Sequence, residues 1–428
     1  MIMTYIRWRL LTLAVLASFV AYVLRINLSI ASPAIVKDFG LNEVQFGGVL
    51  AAFAWGYAAF QVPGGVLGAR LGARRSMTWL LTIWTVITLL STLIPATRGT
   101  GAWIALVAFF LVRLLLGICQ APLFPILSGL FTPSWFPPGS WALPNGLTST
   151  GLTLGAAAAG PVIAGLVGAI GWRWAFVVTA PVAGLVAVWW WWDIRDDPAQ
   201  HPAVSTAELN LIRAGRPAEA KAGPNDWRQV LRNPDIVGIT FSYFCMNYVF
   251  YLFFNWFFYY LVEVRHLSNQ AGGNFSGAQW IVGAATAFLG GWFCDWLTSR
   301  VGPRRGPQIT VMAGLLVAAP LLVAGALSAN PAVAVTLLAA SFGATQLTEG
   351  AYWAAATRVG GRHAPAATGL MNTGGNLVGG FGALMVPLVA SAFGWTVAVS
   401  TGALFAVLGA LPWLWIRADR TFDGDQPA

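Results

Sequence analysis

The stretch GGVLGARLGARR (residues 64–75) returns in altered form as GGWFCDWLTSRVGPRR (residues 290–305). Each copy follows a long apolar run and opens with a glycine pair, which lets two helices approach closely. Each copy then ends in a tight turn with paired arginines. The repeat predicts a chain that is built from two related halves.

The composition places both halves in a membrane. Of the 428 residues, 57% are hydrophobic and only 9% are charged, and the mean hydropathy is +0.68. Apolar runs of about 18 residues or more, long enough to cross a hydrocarbon core about 30 Å thick, recur along the whole chain. These runs are continuous rather than alternating, which favours helices over a barrel. We therefore predict an all-α integral membrane protein.

We predict twelve transmembrane helices in two six-helix bundles. The spans lie near residues 10–36, 44–68, 76–97, 102–131, 142–170, 172–192, 236–262, 270–297, 307–328, 332–356, 365–393 and 395–416. The domains are then an N-terminal bundle (1–192), a cytoplasmic central loop (193–235), a C-terminal bundle (236–417) and a cytoplasmic tail (418–428). Two such bundles with a repeated loop are typical of a secondary transporter that rocks around a midplane site.

The basic charge of the chain indicates its orientation. The formal net charge is +9, and this map places 18 of the 24 lysines and arginines on the cytoplasmic side, with four outside and two in the membrane. This distribution obeys the positive-inside rule and predicts that both termini are cytoplasmic. The charge is therefore an orientation signal and not a nucleic-acid footprint. The first apolar run continues to about Ile35, which predicts an uncleaved helix rather than a signal peptide.

Six stretches carry a resemblance to a known family: YVLRINLSIASPAI, FAWGYAAFQVPGG, RLLLGICQAPLFP, SWFPP, DDPAQHPAVSTAEL and GLMNTGGNLVGG. They spread over nearly the full length. The chain resembles the major facilitator superfamily and, within it, the anion:cation symporter family of sugar-acid and other organic-anion transporters. We expect a monomer in the bacterial inner membrane that contacts lipid and a small organic anion, with protons as a further partner if transport is coupled. We expect no cofactor, metal or nucleic acid.

Arg25, in FVAYVLRINLSIA (residues 19–31), is the most unusual residue of the predicted spans. A charged side chain at the centre of a span costs roughly 2.5–3.5 kcal/mol on insertion scales and is usually functional. Arg113 lies in span four, and of fifteen carboxylates only Glu349 lies well inside a span. Two cations against one acid leave a positive site, and a guanidinium holds a carboxylate through two parallel hydrogen bonds. We predict that Arg25 and Arg113 bind the carboxylate of an organic anion.

The chain departs from the family pattern at its acids. The resemblance implies an acid beside the span-one arginine and another in a span-four G-x-x-E-A-P stretch, both associated with proton coupling. Leu24 and Gln120 occupy these positions, and Ala69 replaces the aspartate of the first repeated loop. We favour facilitated diffusion or exchange. The alternatives are a proton-coupled symporter that uses Glu349 and an anion receptor that does not transport.

Polar side chains at helical spacing complete the predicted site. The substrate-binding candidates besides the two arginines are Tyr57, Gln61, Gln120, Tyr251, Asn255, Asn372 and Asn376. Tyr251 and Asn255 are the mid-span members of a stripe of five polar residues at four-residue spacing. We expect its outer members, such as Tyr243 and Tyr259, to anchor at the membrane interface. The two loops that we expect to steady the cytoplasmic side contain Arg70, Arg74, Arg75, Asp295, Arg304 and Arg305.

Two further predictions concern the central loop and catalysis. The sequence STAE (Ser205 to Glu208) predicts a capping box that opens a short helix. His201, His266 and His363 are far apart in the sequence, and the chain has no phosphate-binding loop, metal-ligand spacing or nucleophile elbow. We therefore do not expect an enzyme.

Overall fold

A computed structural model of the chain describes residues 4–41, 43–95, 100–215 and 227–421. The described residues form helices joined by turns and short irregular links, as the apolar runs predict. Arg98, Arg216 and Lys221, which entered the charge count, lie outside the described residues, as does the tail from residue 422.

Sixteen α-helices follow one another in the described residues. In the first half they are α1 (Ile6–Ile30), α2 (Ser32–Phe39), α3 (Glu43–Leu71), α4 (Ala73–Thr92), α5 (Thr100–Gln120), α6 (Leu123–Ile126), α7 (Thr132–Trp135) and α8 (Ala142–Asp193). After these come α9 (Thr206–Arg213), α10 (Trp227–Val230), α11 (Pro234–Tyr259), α12 (Asn269–Leu327), α13 (Pro331–Gln346), α14 (Glu349–Gly360), α15 (Ala364–Phe393) and α16 (Trp395–Ala410).

Eight helical stretches of the described chain are long and apolar enough to cross a membrane. Three of them have 52, 57 and 49 residues, whereas one crossing takes about 20 residues. The protein is therefore a multi-pass membrane protein.

Glycine breaks the longest helices. At Gly171 in α8 the backbone has φ 79° and ψ 160°, and at Gly302 in α12 it has φ 88° and ψ 169°. Residues with a Cβ rarely adopt this region, so these corners require glycine. Gly72 and Gly394 separate neighbouring helices with nearly the same dihedral angles. Because Gly72 and Gly302 lie in the two copies of the repeated loop, the sequence repeat is also a repeated backbone corner.

The chain packs as two compact units. Unit 1 comprises Met1–Trp135 and Gly151–Ile212, and unit 2 comprises Phe136–Thr150 and Arg213–Ala428. The first turns of α8 therefore belong to unit 2, and the remainder of α8 belongs to unit 1.

Close contact between α3 and α5 prepares the site in unit 1. A Cβ on Gly117 would lie only 3.0 Å from the backbone nitrogen of Tyr57 and would also meet the backbone of Phe53. The two helices therefore touch through their backbones at this point. Arg113, one turn before Gly117, is consequently carried to the ring of Phe53.

The predicted capping box of α9 forms only in part. The Ser205 hydroxyl accepts a hydrogen bond from the Glu208 backbone (3.2 Å), as predicted. The Glu208 carboxylate instead accepts from the backbone N–H groups of Ile6 and Arg7 (3.1 Å each) and from the Thr4 hydroxyl (2.5 Å). The prediction was wrong for this half because the first turn of α1 offers unpaired N–H groups and a positive dipole end.

Candidate functional site

Aromatic rings surround the guanidinium of Arg25. Its central carbon lies 5.2 Å from the ring centre of Tyr22, 4.9 Å from that of Phe53 and 4.8 Å from that of Tyr57. Its Nη1 also donates to the Tyr22 hydroxyl (3.3 Å). The faces of aromatic rings are negative, so each attracts the cation. The half-buried Arg25 is thus stabilised by aromatic rings, and its own helix contains no carboxylate.

Arg113 lies directly beside this group and is almost fully buried. Its Nη2 donates to the backbone oxygen of Arg25 (2.8 Å), and its guanidinium carbon lies 5.2 Å from the ring centre of Phe53. Its Nε makes no hydrogen bond within the described part of the chain. A buried donor without an acceptor is costly, so this nitrogen is suited to an incoming anion. We call Arg25 and Arg113 the arginine pair.

The two positions at which the family pattern predicts acids are neutral and buried. Gln120 donates from Nε2 to the backbone oxygen of Ala21 (3.2 Å). Leu24 has no exposed surface. Gln120 and Arg113, seven residues apart on α5, both reach the backbone of α1, so they share a face as their spacing predicts.

Tyr57 and Gln61 lie one turn apart on α3, and both are buried. The structure places Tyr57 against the arginine of α1, where it also stacks on Phe53 with ring centres 5.7 Å apart. Tyr22 and Phe53 were absent from the predicted site. Their signal was available, because Tyr22 precedes Arg25 by three residues and Phe53 precedes Tyr57 by four, the spacings that share a helix face.

In unit 2 the buried acid is Glu349, at the start of α14. Its carboxylate accepts from the indole nitrogen of Trp353 (2.9 Å) and from the hydroxyl of Tyr243 (3.3 and 3.4 Å to its two oxygens). Both donors are neutral. The expectation that Tyr243 anchors at the membrane interface was wrong, since its side chain is only 4% exposed. Tyr259 does stay exposed at 45% and packs on Trp395.

A second polar group of unit 2 joins α11 to α15. The Tyr251 hydroxyl donates to Asn376 Oδ1 (2.8 Å), and Asn376 Nδ2 donates to Asn372 Oδ1 (3.0 Å). A Cβ on Gly379 would lie 2.8 Å from the Tyr251 ring, so the glycine permits this close packing. Asn255, predicted beside Tyr251, is exposed and is not brought into this group.

In the first repeated loop, Arg74 is bound by an acid from another part of unit 1. The backbone N–H of Arg74 donates to Asp196 Oδ1 (2.9 Å), while the Arg74 guanidinium donates to the backbone oxygen of Trp191 (2.8 and 2.9 Å) and stacks on the Trp191 ring. Asp196, which was not predicted, therefore stands near the corner where Ala69 replaces an aspartate. Arg70 and Arg75 are exposed.

In the second repeated loop, Asp295 caps the start of α8 within unit 2. Its two carboxylate oxygens accept from the backbone N–H groups of Ala142 (2.9 Å) and Leu143 (2.8 Å). A carboxylate at a helix N-terminus satisfies free N–H groups and complements the dipole. Arg304 is half-buried and Arg305 is exposed.

Comparison with protein families gives a match over most of the chain. The model that describes the Major Facilitator Superfamily matches residues 14–383.

Several bacterial transporters are similar to the chain. A probable sulfoacetate transporter of Cupriavidus necator is 31% identical over 97% of this chain and 95% of its own length. A probable galactarate/D-glucarate transporter of Escherichia coli K12 is 31% identical over 69% of this chain and 67% of its own length. The D-galactonate transporter of Escherichia coli O6:H1 is 26% identical over 96% of both chains.

Solved structures show the same fold. The transporter FucP in the outward conformation superimposes with a TM-score of 0.71 at 16% identity, covering 96% of this chain and 100% of that chain. The proton:xylose symporter XylE superimposes with a TM-score of 0.72 at 15% identity, covering 96% of both chains. At these identities the likeness concerns the fold alone.

Proposed function

The chain belongs to the major facilitator superfamily, and we propose that it is a secondary transporter that carries small organic anions by alternating access. The observation that supports this most directly is the arginine pair of unit 1. Two guanidinium groups approach one aromatic ring there, and Arg113 Nε is buried without an acceptor. The relatives are named as transporters of sulfoacetate, of galactarate and glucarate, and of galactonate, which supports the same class of substrate.

Each proposed binding residue has a role that follows from its chemistry. Arg25 and Arg113 bind the acidic group of the substrate. The polar side chains that we propose to contact the rest of the substrate are Tyr57, Gln61 and Gln120 in unit 1 and Tyr251, Asn255, Asn372 and Asn376 in unit 2. The substrate class includes sugar acids because amides and phenols suit hydroxyl groups as both donors and acceptors.

For coupling we favour facilitated diffusion or exchange. Neither Leu24 nor Gln120 can carry a proton, and both replace acids that the family pattern places near the substrate arginine. The alternative is proton-coupled symport through Glu349. It is supported by the burial of this carboxylate and by its two donors within the described residues, Tyr243 and Trp353, both of which are neutral.

We propose twelve transmembrane helices. The stretches of 52, 57 and 49 residues each have the length of two crossings, and α4 supplies a further apolar helix of 20 residues. The proposed domains are residues 1–192, 193–235, 236–417 and 418–428, with both termini in the cytoplasm. The proposed location is the bacterial inner membrane, where the protein functions as a monomer.

The first experiment is uptake into proteoliposomes of a panel of sugar acids, aromatic acids and short hydroxy acids, with and without an inward proton gradient. We expect Arg25→Ala to abolish uptake while the protein remains monodisperse in detergent. Arg173→Ala is the matched control, because this arginine pairs with Asp38 and stacks on the ring of Trp172. Normal uptake by Arg25→Ala would refute the site. Saturable binding without flux in the unmodified protein would make it a receptor.

A further inference from the structure

Three polar atoms of unit 2 are buried and have no hydrogen-bond partner in the part of the chain that the structure describes. They are Oε1 of Gln279, Oε1 of Gln346 and Oγ of Ser276. Gln279 and Gln346 are each only 1% exposed. Buried polar groups of folded proteins nearly always have a partner, because an unmade hydrogen bond raises the free energy. These three atoms are therefore suited to a partner from outside the chain.

The three atoms belong to one contact between α12 and α13. Ser276 and Gln279 are three residues apart on α12, so they lie on the same face of this helix. Gly283 follows Gln279 by one turn on that face, and a Cβ at Gly283 would lie 3.3 Å from Cγ of Gln346. Because Gly283 has no side chain, Gln346 packs directly on the face of α12 that carries the other two residues.

Three aromatic rings pack beside this contact. The ring centres of Trp280 and Phe342 are 5.4 Å apart, and that of Phe250 lies 5.8 Å from Trp280 and 6.0 Å from Phe342. A Cβ at Gly283 would also meet the Phe342 ring, so the rings border the same turn of α12. A hydrogen bond is electrostatically stronger in such apolar surroundings than in water. A ligand at this contact would therefore be selected by its hydrogen-bonding groups.

The three atoms define the chemistry of a matching ligand. An amide oxygen only accepts hydrogen bonds, whereas a serine hydroxyl both donates and accepts. Neighbouring hydroxyl groups of one ligand can donate to the two amide oxygens and accept from Ser276. An alkyl acid has no hydroxyl group to donate, so it would leave both amide oxygens without a partner.

We propose that Gln279, Gln346 and Ser276 form a subsite of unit 2 that binds hydroxyl groups of the transported anion, which makes this anion a polyhydroxy acid. The inference rests on the proposed function and narrows its substrate class. A site that is built to bind a hydroxyl group rejects the analogue without it, because the buried polar atoms of the site are then left unpaired. The subsite therefore determines specificity, while the arginine pair binds the acidic group.

The test compares acids that have the same carbon chain and the same charge. Galactarate and adipate are such a pair of diacids, and D-galactonate and hexanoate are the corresponding monoacids; only the first member of each pair has hydroxyl groups on its chain. Each compound competes with the best-transported anion of the uptake panel for the full-length protein in proteoliposomes. We expect each hydroxylated acid to bind at least about tenfold more tightly than its partner, the ratio that corresponds to 1.4 kcal/mol.

Methionine variants locate this preference in the protein. Gln279→Met and Gln346→Met remove one amide each and keep a side chain of similar length. We expect either variant to lower the preference for the hydroxylated acid by about tenfold or more and to leave the binding of adipate unchanged. The empty variants should melt at the same temperature as the unmodified protein or higher, because a buried oxygen without a partner has been removed.

Gln308→Met is the matched control in the same unit. The amide of Gln308 donates to the backbone oxygen of Trp413 (2.6 Å), so this variant should melt at a lower temperature and keep the preference. If a methionine variant at either subsite glutamine fails to fold, Gln279→Asn or Gln346→Asn takes its place. Asparagine keeps the amide but withdraws it by one carbon, and the same loss of preference is expected.

The results that would overturn the inference differ from those that would overturn the proposed function. If adipate binds as tightly as galactarate, or if the folded variants keep the preference of the unmodified protein, the hydroxyl subsite is refuted. Uptake of any anion of the panel that Arg25→Ala abolishes would show that the proposed function still stands. If no anion of the panel is bound or transported, both proposals fail.

Discussion

Replacing Arg113 by methionine should stabilise the empty protein. The two guanidinium carbons lie 4.9 and 5.2 Å from one ring centre. They are therefore at most about 10 Å apart, and at an effective dielectric constant of about 20 they repel each other by at least roughly 1.5 kcal/mol. Methionine fills the space with a flexible apolar chain and removes this repulsion and the burial of the charge. The backbone oxygen of Arg25 loses the hydrogen bond from Arg113. Because this oxygen lies within helix α1, it can still accept an intrahelical hydrogen bond. We expect a net stabilisation of about 1–2 kcal/mol.

The same substitution should weaken anion binding. A hydrogen bond between a guanidinium and an anion contributes about 1.5–3 kcal/mol, which is roughly a 10- to 150-fold change in affinity. Thermal unfolding in detergent, with and without the best anion of the uptake panel, measures both effects. Arg113→Met should melt at a higher temperature than the unmodified protein when empty and should gain less from the anion.

Two further variants control this prediction. Arg113→Lys keeps the charge but loses the planar fork, so it should bind weakly without the gain in stability. Arg173→Met removes an arginine that already pairs with Asp38 and should leave anion affinity unchanged. A lower melting temperature for empty Arg113→Met, together with unchanged affinity, would refute this reasoning and make Arg113 a structural residue.

Two other substitutions test the remaining parts of the argument. Glu349→Gln should leave flux unchanged, and neither form should accumulate anion above equilibrium under an inward proton gradient. Accumulation that the variant loses would instead favour proton coupling, for which 100 mV and one charge allow about 50-fold. Glu208→Ala should lower the free energy of unfolding by about 2–4 kcal/mol, because it leaves the N–H groups of Ile6 and Arg7 without an acceptor. Uptake per folded molecule should not change, and equal denaturation midpoints would contradict this assignment.

Sequence patterns predicted the helices well because apolar length and glycine are local signals. The four corners at Gly72, Gly171, Gly302 and Gly394 stand where the chain reverses between apolar runs. The partner of Glu208 was not predictable in this way. The capping-box pattern paired the Glu208 carboxylate with the backbone of Ser205, three residues earlier. The donors that it uses, Ile6 and Arg7, lie about 200 residues earlier.

The candidate site was predictable in part for the same reason. Arg25 and Glu349 could be predicted because a charged side chain in an apolar run raises the free energy of membrane insertion. Of the three rings around Arg25, Tyr57 was predicted, whereas Tyr22 and Phe53 were not, because aromatic residues are frequent in this chain. Tyr243 was predicted at the membrane interface but is buried against Glu349 of α14. The spacing along its own helix does not reveal which other helix covers it. Long-range packing decided each of these cases.

The two units surround their charged side chains with different neutral groups, and this bears on whether transport is coupled to protons. In unit 1 aromatic rings and a backbone oxygen stabilise two cations, while in unit 2 a phenol and an indole stabilise one carboxylate. The predicted spans of residues 1–192 contain no aspartate or glutamate. Asp295 uses both oxygens to cap α8. Glu349, which is buried and accepts from Tyr243 and Trp353, is therefore the residue at which the proposed proton-coupled alternative is tested first.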